Sequence, residues 1–323
     1  MHYCFLNEDI KDLQEDPLIL QKIYAQKIEK LLIGNLSKQQ ILNEANLPAN
    51  LAGQKVLLRC SYDNMIAGLR LLQKYGVETI ETETDIIKIE NWYKLNLTQR
   101  KFAEISLSDI ENGLFKTEVL EFFFKECNIF LKSVHKGFSA VINPMRILQH
   151  DQKLIRFLKR QCKKYGENLL LTNYCKIRTD SIGTRESRHI ITNDNVINSS
   201  RFLLNLKHTV PRSHIIKARE IAKIISMIKS FPQNYVLDLG EFVDNDNVMY
   251  LDIVEINPLT CSLCYVNNSI FDYVLPEIRE IQIQSRMGAE YCYDAIEKPQ
   301  KYYIRRISNI NYSCIASDRY FFL

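Results

Sequence analysis

The chain has 323 residues, 46% of them hydrophobic and 25% charged, a composition typical of a globular protein with two or three domains. Its formal net charge of +4 is small, and no basic stripe interleaved with aromatic residues occurs, so we predict no nucleic-acid partner. Nine cysteines at irregular spacing predict a reducing compartment, such as the cytoplasm, instead of a disulfide framework. No apolar run approaches the ~20 residues of a membrane span, and the acidic N-terminus lacks a signal-peptide pattern.

The beginning of the chain favours helices. Residues 17–32 repeat apolar side chains at spacings of three and four, which predicts an amphipathic helix. Residues 37–47 begin with the N-cap residue Ser37 and predict a second, shorter helix. We therefore assign residues 1–50 to a helical N-terminal extension.

A strand–helix–strand pattern follows. Residues 55–60 form an apolar run typical of a short strand, residues 63–76 have helical periodicity and end in glycine, and residues 77–82 predict another strand. That order is typical of a parallel sheet. We assign residues 51–110 to a small α/β domain that ends in a polar connector, which begins at residue 91.

The largest part, residues 111–275, alternates helices and strands. In chain order the patterns predict a helix at 117–127, strands at 128–134 and 136–142, a helix at 151–166, a strand at 167–177, a hairpin at 186–204, a helix at 213–231 and two strands around the acidic turn 244–247. Residues 276–323 predict one more helix and a basic, tyrosine-rich tail.

The two strands around the turn "DNDN" carry unexpected oxygen side chains. Asp238 lies in the first strand, and Glu255 and Asn257 lie on one face of the second, because strand side chains alternate. Antiparallel pairing of the strands would bring the three together as an all-oxygen set, the kind that Mg²⁺ prefers. The alternative is that these side chains point outward from a solvated sheet edge.

This hairpin, with "DLG", a turn and "VEINP", resembles the metal-binding hairpin of the ATP-grasp superfamily. The resemblance implies that Asp238, Glu255 and Asn257 hold the Mg²⁺ ions, or Mn²⁺ ions, that bridge the phosphates of ATP. Asp252 lies three residues before Glu255 and should face the other side of the strand. The resemblance covers about residues 55–270.

Lys132 and Lys136 lie at strand ends on either side of a short turn in "NIFLKSVHKGF". Lysine binds phosphate as a point charge on a flexible stem, although most lysines are simply surface residues. The segment resembles that of a compact ATP-grasp clade named for an arginine-and-lysine signature. This implies that both lysines bind ATP phosphates and that Lys136 also takes part in catalysis. The chain has Lys132 where that clade has arginine.

The same resemblance extends over the following strands. It implies that the backbone of Leu171 and Thr172 reads the adenine edge. "ESRHII" and "VINSSR", joined by an Asn-Asp-Asn turn, resemble the clade's Glu-x-Arg strand pair. Arg188 would then clamp the transferred phosphoryl or acyl-phosphate group, and Glu186 would orient Arg188 or the ribose. Arg201 would be a second oxyanion ligand; the alternative is that both arginines make ordinary cross-strand ion pairs.

Taken together, the resemblance implies an α/β protein with an ATP-grasp fold of two lobes, preceded by a small α/β domain. The implied activity is that of an ATP-dependent carboxylate–amine ligase that forms an amide through an acyl phosphate, as peptide ligases do. Its substrates would be ATP, a carboxylate and an amine, drawn from amino acids, peptides or proteins. A phosphotransferase, or a regulatory module that binds ATP without turnover, stays open, as does the oligomeric state.

Cys261 and Cys264 have the two-residue gap of a zinc or redox pair. No second pair or histidine cluster completes such a site in the sequence, so we interpret this segment as a structural loop.

Overall fold

The computed structural model describes residues 2–6, 32–36, 55–60, 62–134, 137–180, 183–201, 210–244, 247–262 and 320–322. The protein is mixed α/β, which confirms the predicted class. In the described part of the chain, no helix combines the length and the apolar character that crossing a bilayer requires. The described residues fall into two compact units, each built from separate stretches of chain. Unit 1 draws on Met1–Trp92, Arg178–Glu241 and Ile253–Pro299, and unit 2 on Tyr93–Ile177, Phe242–Asp252 and Gln300–Leu323.

Sixteen strands are described. They are β1 (His2–Leu6), β2 (Leu32–Leu36), β3 (Lys55–Arg59), β4 (Glu78–Thr79), β5 (Phe102–Ser106), β6 (Ile129–Ser133), β7 (Ser139–Ile142), β8 (Asn168–Asn173), β9 (Lys176–Ile177), β10 (Thr179–Asp180), β11 (Gly183–Thr184), β12 (Glu186–Thr192), β13 (Asn195–Arg201), β14 (Asn234–Val243), β15 (Met249–Asn257) and β16 (Tyr320–Phe322). The described α-helices are α1 (Tyr62–Lys74), α2 (Glu83–Glu90), α3 (Leu107–Asn112), α4 (Thr117–Lys125), α5 (Met145–Leu148), α6 (Gln152–Tyr165) and α7 (Arg212–Ser226).

The first sheet of unit 1 is parallel and has the order β2-β1-β3-β4. Helix α1 connects β3 to β4, as the strand–helix–strand pattern predicts. Gly76 follows the helix in the left-handed conformation, φ +67°, which glycine adopts at little cost. A cluster of buried apolar side chains forms the core here, namely Leu58, Cys60, Met65, Leu69, Leu71, Leu72, Val77 and Ile86.

The N-terminal segments differ from the helical extension predicted for residues 1–50. Both described segments of that range, β1 and β2, are strands of the first sheet, and β1 lies at its centre. Runs of five residues such as "HYCFL" are too short for periodicity to separate strand from helix. The rest of the predicted helices at residues 17–32 and 37–47 lies outside the described residues.

The second sheet of unit 1 brings β12, β13, β14 and β15 together in the order β13-β12-β14-β15. Strands β12 and β13 form the predicted hairpin, and its two-residue turn has positive φ at Asn193 (46°) and Asp194 (67°). Two successive positive φ values are the mark of a type I′ turn, which asparagine and aspartate tolerate. Helix α7 packs on β12 and β13 through its buried residues, which are His214, Ile215, Ala218, Ile221, Ala222 and Ile225.

Unit 2 contains a five-stranded sheet of order β16-β7-β6-β8-β5. Its strands pair antiparallel except β16, which runs parallel to β7. Helices α3, α4 and α6 contribute to one core with the inward side chains of these strands, including Ile105, Phe123, Leu131, Leu158 and Leu171. Asp151 caps α6 by accepting hydrogen bonds from the backbone N–H of Lys153 and Leu154.

The connector predicted from residue 91 contains regular structure. It holds β5 and α3, and α3 begins with a capping box between Ser106 and Asp109. The sequence pattern does not reveal the strand, because it is only five residues long and two of its side chains, Glu104 and Ser106, are polar.

Candidate functional site

One face of the second sheet in unit 1 is polar. Strand side chains alternate, so Glu186 and Arg188 of β12 point to the same side, and so do Glu255 and Asn257 of β15. Arg188 lies directly opposite Asp238 of the neighbouring β14. We call these five residues the polar face.

A bidentate ion pair forms the centre of the polar face. Arg188 donates from Nε to Asp238 Oδ1 over 2.7 Å and from Nη2 to Asp238 Oδ2 over 2.6 Å. Both side chains are buried, with Asp238 only 2% exposed. A fork of two charge-assisted hydrogen bonds fixes the relative position of both groups, so the pair holds the carboxylate rigidly on the sheet.

Asn257 binds the same carboxylate from the other neighbouring strand. Its Nδ2 donates to Asp238 Oδ2 over 2.9 Å, and its side chain is buried. Because the amide nitrogen is used toward Asp238, the amide oxygen is the atom that Asn257 offers to a cation. Glu255 lies two residues earlier on the same face and is half-buried.

The chemistry of this set fits a hard divalent cation. Asp238, Glu255 and Asn257 supply two carboxylates and an amide oxygen, the donors that Mg²⁺ takes in proteins. Arg188 and Asn257 donate three hydrogen bonds to Asp238, and a carboxylate has about four acceptor positions. Among the described residues, no group of three or more histidine, cysteine, aspartate or glutamate side chains is arranged to hold a metal ion.

Arg201 lies apart from Arg188. It is opposite Ser187 in the pairing of β12 with β13, so it belongs to the face of the sheet that α7 covers. There Arg201 Nη2 donates to Asp180 Oδ2 over 2.7 Å. Both arginines therefore make ion pairs, as the alternative interpretation of the sequence predicts. The Arg188 pair lies on the polar face, whereas the Arg201 pair lies on the opposite face of the sheet.

The face of the sheet covered by α7 carries a buried chain of hydrogen bonds, which we call the histidine relay. Ser199 Oγ lies 2.8 Å from His189 Nδ1, and His189 Nε2 lies 2.8 Å from Ser187 Oγ. Ser187 Oγ lies 2.7 Å from His214 Nδ1, and His214 Nε2 lies 3.3 Å from Glu241 Oε1. The relay therefore joins β13, β12, α7 and β14.

The charge of Glu241 determines which group donates and which accepts in each hydrogen bond of the relay. Burial alone would raise the pKa of Glu241, but hydrogen bonds from Arg185 and His214 outweigh it and hold that pKa below its ordinary value. A carboxylate only accepts, so His214 donates from Nε2 and accepts at Nδ1 from the Ser187 hydroxyl. Ser187 then accepts from His189 Nε2, and His189 Nδ1 accepts from Ser199. Both histidines are neutral, because burial lowers the pKa of His214 and lowers that of His189 to about 3.

Of the two lysines expected to bind phosphate, Lys132 belongs to unit 2. Lys132 is half-buried on β6 and lies opposite Ser139 of β7 and Leu170 of β8. Lys136 lies outside the described residues. Gly137 and Phe138, the next residues along, donate backbone hydrogen bonds to the Ser133 hydroxyl over 2.9 and 3.3 Å, which closes the turn after β6.

Leu171 and Thr172 lie within β8, which is an inner strand of the unit 2 sheet. Leu171 is opposite Ala103 on one side and Leu131 on the other. Thr172 is likewise paired with β5 and β6, so the backbone N–H and C=O groups of both residues serve the sheet. Backbone groups that could read a base edge therefore begin after the strand, at Tyr174. In the sequence, the end of this strand is indicated by the end of the apolar run at Asn173.

Asp252 and Cys261 have contacts that place them outside the polar face. Asp252 accepts from the Thr98 hydroxyl over 2.5 Å and from the backbone N–H of Gln99 over 3.1 Å. It is out of phase with Glu255 along β15, as its spacing predicts. Cys261 packs against the core of the first sheet as a free thiol, whereas Cys264 lies outside the described residues.

Comparison with known proteins yields only remote similarities. No family model matches the chain, and no curated protein matches it. Among solved structures, an ATP-grasp ligase, PsnB, complexed with a minimal precursor is similar with a TM-score of 0.49 and 12% identity, over 81% of this chain and 90% of the other. D-alanyl-alanine synthetase A from Vibrio cholerae has a TM-score of 0.49 and 11% identity, over 92% of this chain and 98% of the other.

A third similar structure is a carboxyaminoimidazole ribonucleotide synthase from Aspergillus clavatus complexed with ATP. Its TM-score is 0.47 at 12% identity, over 79% of this chain and 69% of the other. Because these TM-scores lie below 0.5, the similarities by themselves decide neither the family nor the activity.

Proposed function

We propose that the protein is an ATP-dependent carboxylate–amine ligase of the ATP-grasp type. The observation that carries this proposal is the polar face, where Arg188, Asp238 and Asn257 meet on three adjacent strands of one sheet and Glu255 lies two residues before Asn257 on the same face. A structural sheet would use apolar side chains at such buried positions, since buried charges cost free energy unless they are paired. The sequence resemblance of "DLG" and "VEINP" to the ATP-grasp hairpin supports the same proposal.

In the proposed reaction a substrate carboxylate oxygen attacks the γ-phosphorus of ATP, and the bond from that phosphorus to the bridging oxygen of ADP breaks. An amine nitrogen then attacks the carbonyl carbon of the acyl phosphate. The carbon–oxygen bond to phosphate breaks, inorganic phosphate leaves, and the amine loses a proton as the amide forms. Such chemistry relies mainly on positioning and on neutralising charge around the phosphoryl group.

The residues of the polar face have distinct proposed tasks. Asp238, Glu255 and Asn257 would hold Mg²⁺, which supplies positive charge to the phosphates when it is bound. Asn257 also fixes Asp238 by hydrogen bonding, so removing its amide would loosen both ligands. Arg188 is bound to Asp238 by both ends of its fork, so we assign it first to holding that carboxylate in place and, through its positive charge, to the transferred group.

The remaining predicted residues complete the proposal. Lys132 and Lys136 would bind the ATP phosphates as point charges, and the segment from Tyr174 onward would contact the adenine. Glu186, half-buried at the start of β12, is two residues from Arg188 on the same face and would contact the ribose. The carboxylate and amine substrates would be amino acids, peptides or a protein.

The decisive experiment combines ADP release with identification of the product. Purified protein is supplied with Mg²⁺, ATP and a panel of amino acids and peptides, and any adduct is identified by mass spectrometry. Hydroxylamine in a parallel reaction traps an acyl phosphate as a hydroxamate. An amide product with hydroxamate trapping supports the ligase, whereas a phosphate ester without hydroxamate would mean a phosphotransferase.

A matched pair of variants tests the site assignment. Glu255→Ala should abolish ADP release while the unfolding transition is retained, because the side chain is a proposed metal ligand on a half-buried strand position. Glu220→Ala removes an exposed carboxylate from α7 and should leave the rate unchanged. Undiminished ADP release by Glu255→Ala would refute the assignment.

A further inference from the structure

A buried carboxylate anchors the turn that follows the polar face. Glu81 lies two residues after β4 and is only 2% exposed. Its Oε1 accepts from the backbone N–H of Leu259 over 2.6 Å, and its Oε2 accepts from the backbone N–H and the hydroxyl of Thr260, each over 2.6 Å. Two successive backbone N–H groups and a hydroxyl thus converge on one anion, as in the backbone nests that bind anions in other proteins.

The same turn has further fixed points. The Thr260 carbonyl accepts from the Cys60 backbone N–H over 3.2 Å, which ties the turn to the end of β3. Ser262 donates from its hydroxyl to the Pro258 carbonyl over 2.5 Å and from its N–H to the Leu259 carbonyl over 3.3 Å. All of these groups belong to unit 1. The turn is therefore held by several bonds, with the charged group of Glu81 at its centre.

The position of this turn connects it with the proposed metal ligands. Asn257 is the last residue of β15, and Pro258 joins it directly to Leu259 and Thr260. Strand pairing fixes the backbone of Asn257 on its N-terminal side, and the bonds to Glu81 fix the chain within two residues on its other side. The direction in which the Asn257 amide meets Asp238 therefore depends on both constraints.

We propose that Glu81 is a positioning residue that sets the orientation of Asn257 for the bound divalent cation. This inference rests on the proposed function, because it assigns Asn257 a metal. Burying a carboxylate costs free energy, which its hydrogen bonds to Leu259 and Thr260 must offset. The carboxylate fixes the direction of two successive backbone N–H groups. Residues that orient metal ligands through hydrogen bonds typically change metal affinity by about 10- to 100-fold when they are substituted.

The test measures metal binding directly. Mn²⁺ binding, with and without ATP, is followed by electron paramagnetic resonance in wild type, Glu81→Gln and Glu81→Ala. Glutamine keeps the shape but turns an N–H₂ group toward backbone donors, so both variants should weaken Mn²⁺ binding by about tenfold. In turnover assays, the KM for Mg²⁺–ATP should rise more than kcat falls.

A matched control separates positioning from stability. Asp151 has the same chemistry in unit 2, because it accepts from the backbone N–H of Lys153 and Leu154 and from Arg146 Nε over 2.7 Å. Asp151→Ala removes that anchor and should lower stability while leaving Mn²⁺ affinity unchanged. If the Glu81 variants also bind Mn²⁺ as wild type does and lose only stability, Glu81 is a structural anchor and the inference is wrong.

Further outcomes keep the two proposals distinct. If Glu81→Ala does not fold, Glu81→Gln carries the test because it keeps the shape of the side chain, and Mn²⁺ binding as tight as that of wild type in Glu81→Gln would overturn the inference. Asn257→Ala tests the proposed function itself. Wild type that binds no Mn²⁺, or an Asn257→Ala variant with undiminished binding, would refute the metal site and the inference with it. A loss in Asn257→Ala without a loss in Glu81→Gln would refute the inference alone.

Discussion

Acid should destabilise this protein through the histidine relay. His189 is fully buried in the relay, and burial, together with the nearby His214, lowers its pKa from 6.5 to about 3. In the unfolded chain the same imidazole takes up a proton below about pH 6.5. The neutral folded form therefore contributes its full stability above pH 6.5 and loses it as the pH falls from 6.5 toward about 3.

The size of the effect follows from this difference. Each pH unit below the unfolded value costs about 1.36 kcal/mol for one such group, so about 2 kcal/mol is lost between pH 6.5 and pH 5. His214 acts in the same direction because burial lowers its pKa too, while Glu241 opposes that shift. Ser187 and Ser199 face His189 and do not titrate in this range.

Urea unfolding at pH 7.5 and pH 5.0, followed by the fluorescence of the single, buried Trp92, measures the loss. His189→Gln should be less stable than wild type at pH 7.5, because the relay is interrupted, but should lose about 2 kcal/mol less on acidification. His150→Asn, at an exposed position with positive φ that asparagine tolerates, should keep the wild-type dependence on pH. Equal losses in wild type and His189→Gln would refute the reasoning.

Three further substitutions test other parts of the structure. Tyr235→Phe should stabilise the protein by about 1 kcal/mol in urea unfolding, because the buried hydroxyl has no hydrogen-bond partner among the described residues; a loss of stability would show that it has one. Arg188→Lys should cost about 2 kcal/mol in the same assay, since one ammonium group cannot make both bonds to Asp238; unchanged stability would contradict the bidentate pair. Asp252→Asn should lower stability by weakening its bonds to Thr98 and the following N–H but leave the KM for ATP unchanged, and a raised KM would place Asp252 in the site.

The features that sequence predicts well here are local. The helix between β3 and β4 has clear periodicity and a terminal Gly76, and the hairpin of β12 and β13 has a turn of Asn193 and Asp194 suited to positive φ. Alternation also places Glu255 and Asn257 on one face and Asp252 on the other. These inferences need only the conformational preferences of neighbouring residues.

The features that sequence does not predict depend on strand register and on distant contacts. Arg201 could be separated from Arg188 only by knowing that it pairs with Ser187, which assigns it to the opposite face. Nothing adjacent to Glu81 in the sequence indicates that its carboxylate meets a turn 178 residues away. His189 could be recognised as out of phase with Arg188, but its partner His214 lies on a helix whose packing is set by the whole sheet.

Successive residues of strand β12 contribute to two different groups of polar side chains, one on each face of the sheet. Its even-numbered residues, such as Arg188, face the proposed metal ligands, and its odd-numbered residues, Ser187 and His189, belong to the relay beneath α7. A shift of one residue in the pairing of β12 would move its even-numbered side chains to the α7 face and its odd-numbered side chains to the polar face. Arg188 would then be buried against the helix, and Asp238 would lose the arginine with which it pairs. A misaligned hairpin would therefore lose hydrogen bonds on both faces of the sheet, and each loss would destabilise it independently. Substitutions in the relay should accordingly raise the fraction of misassembled protein, even though they lie on the side of the sheet away from the proposed chemistry.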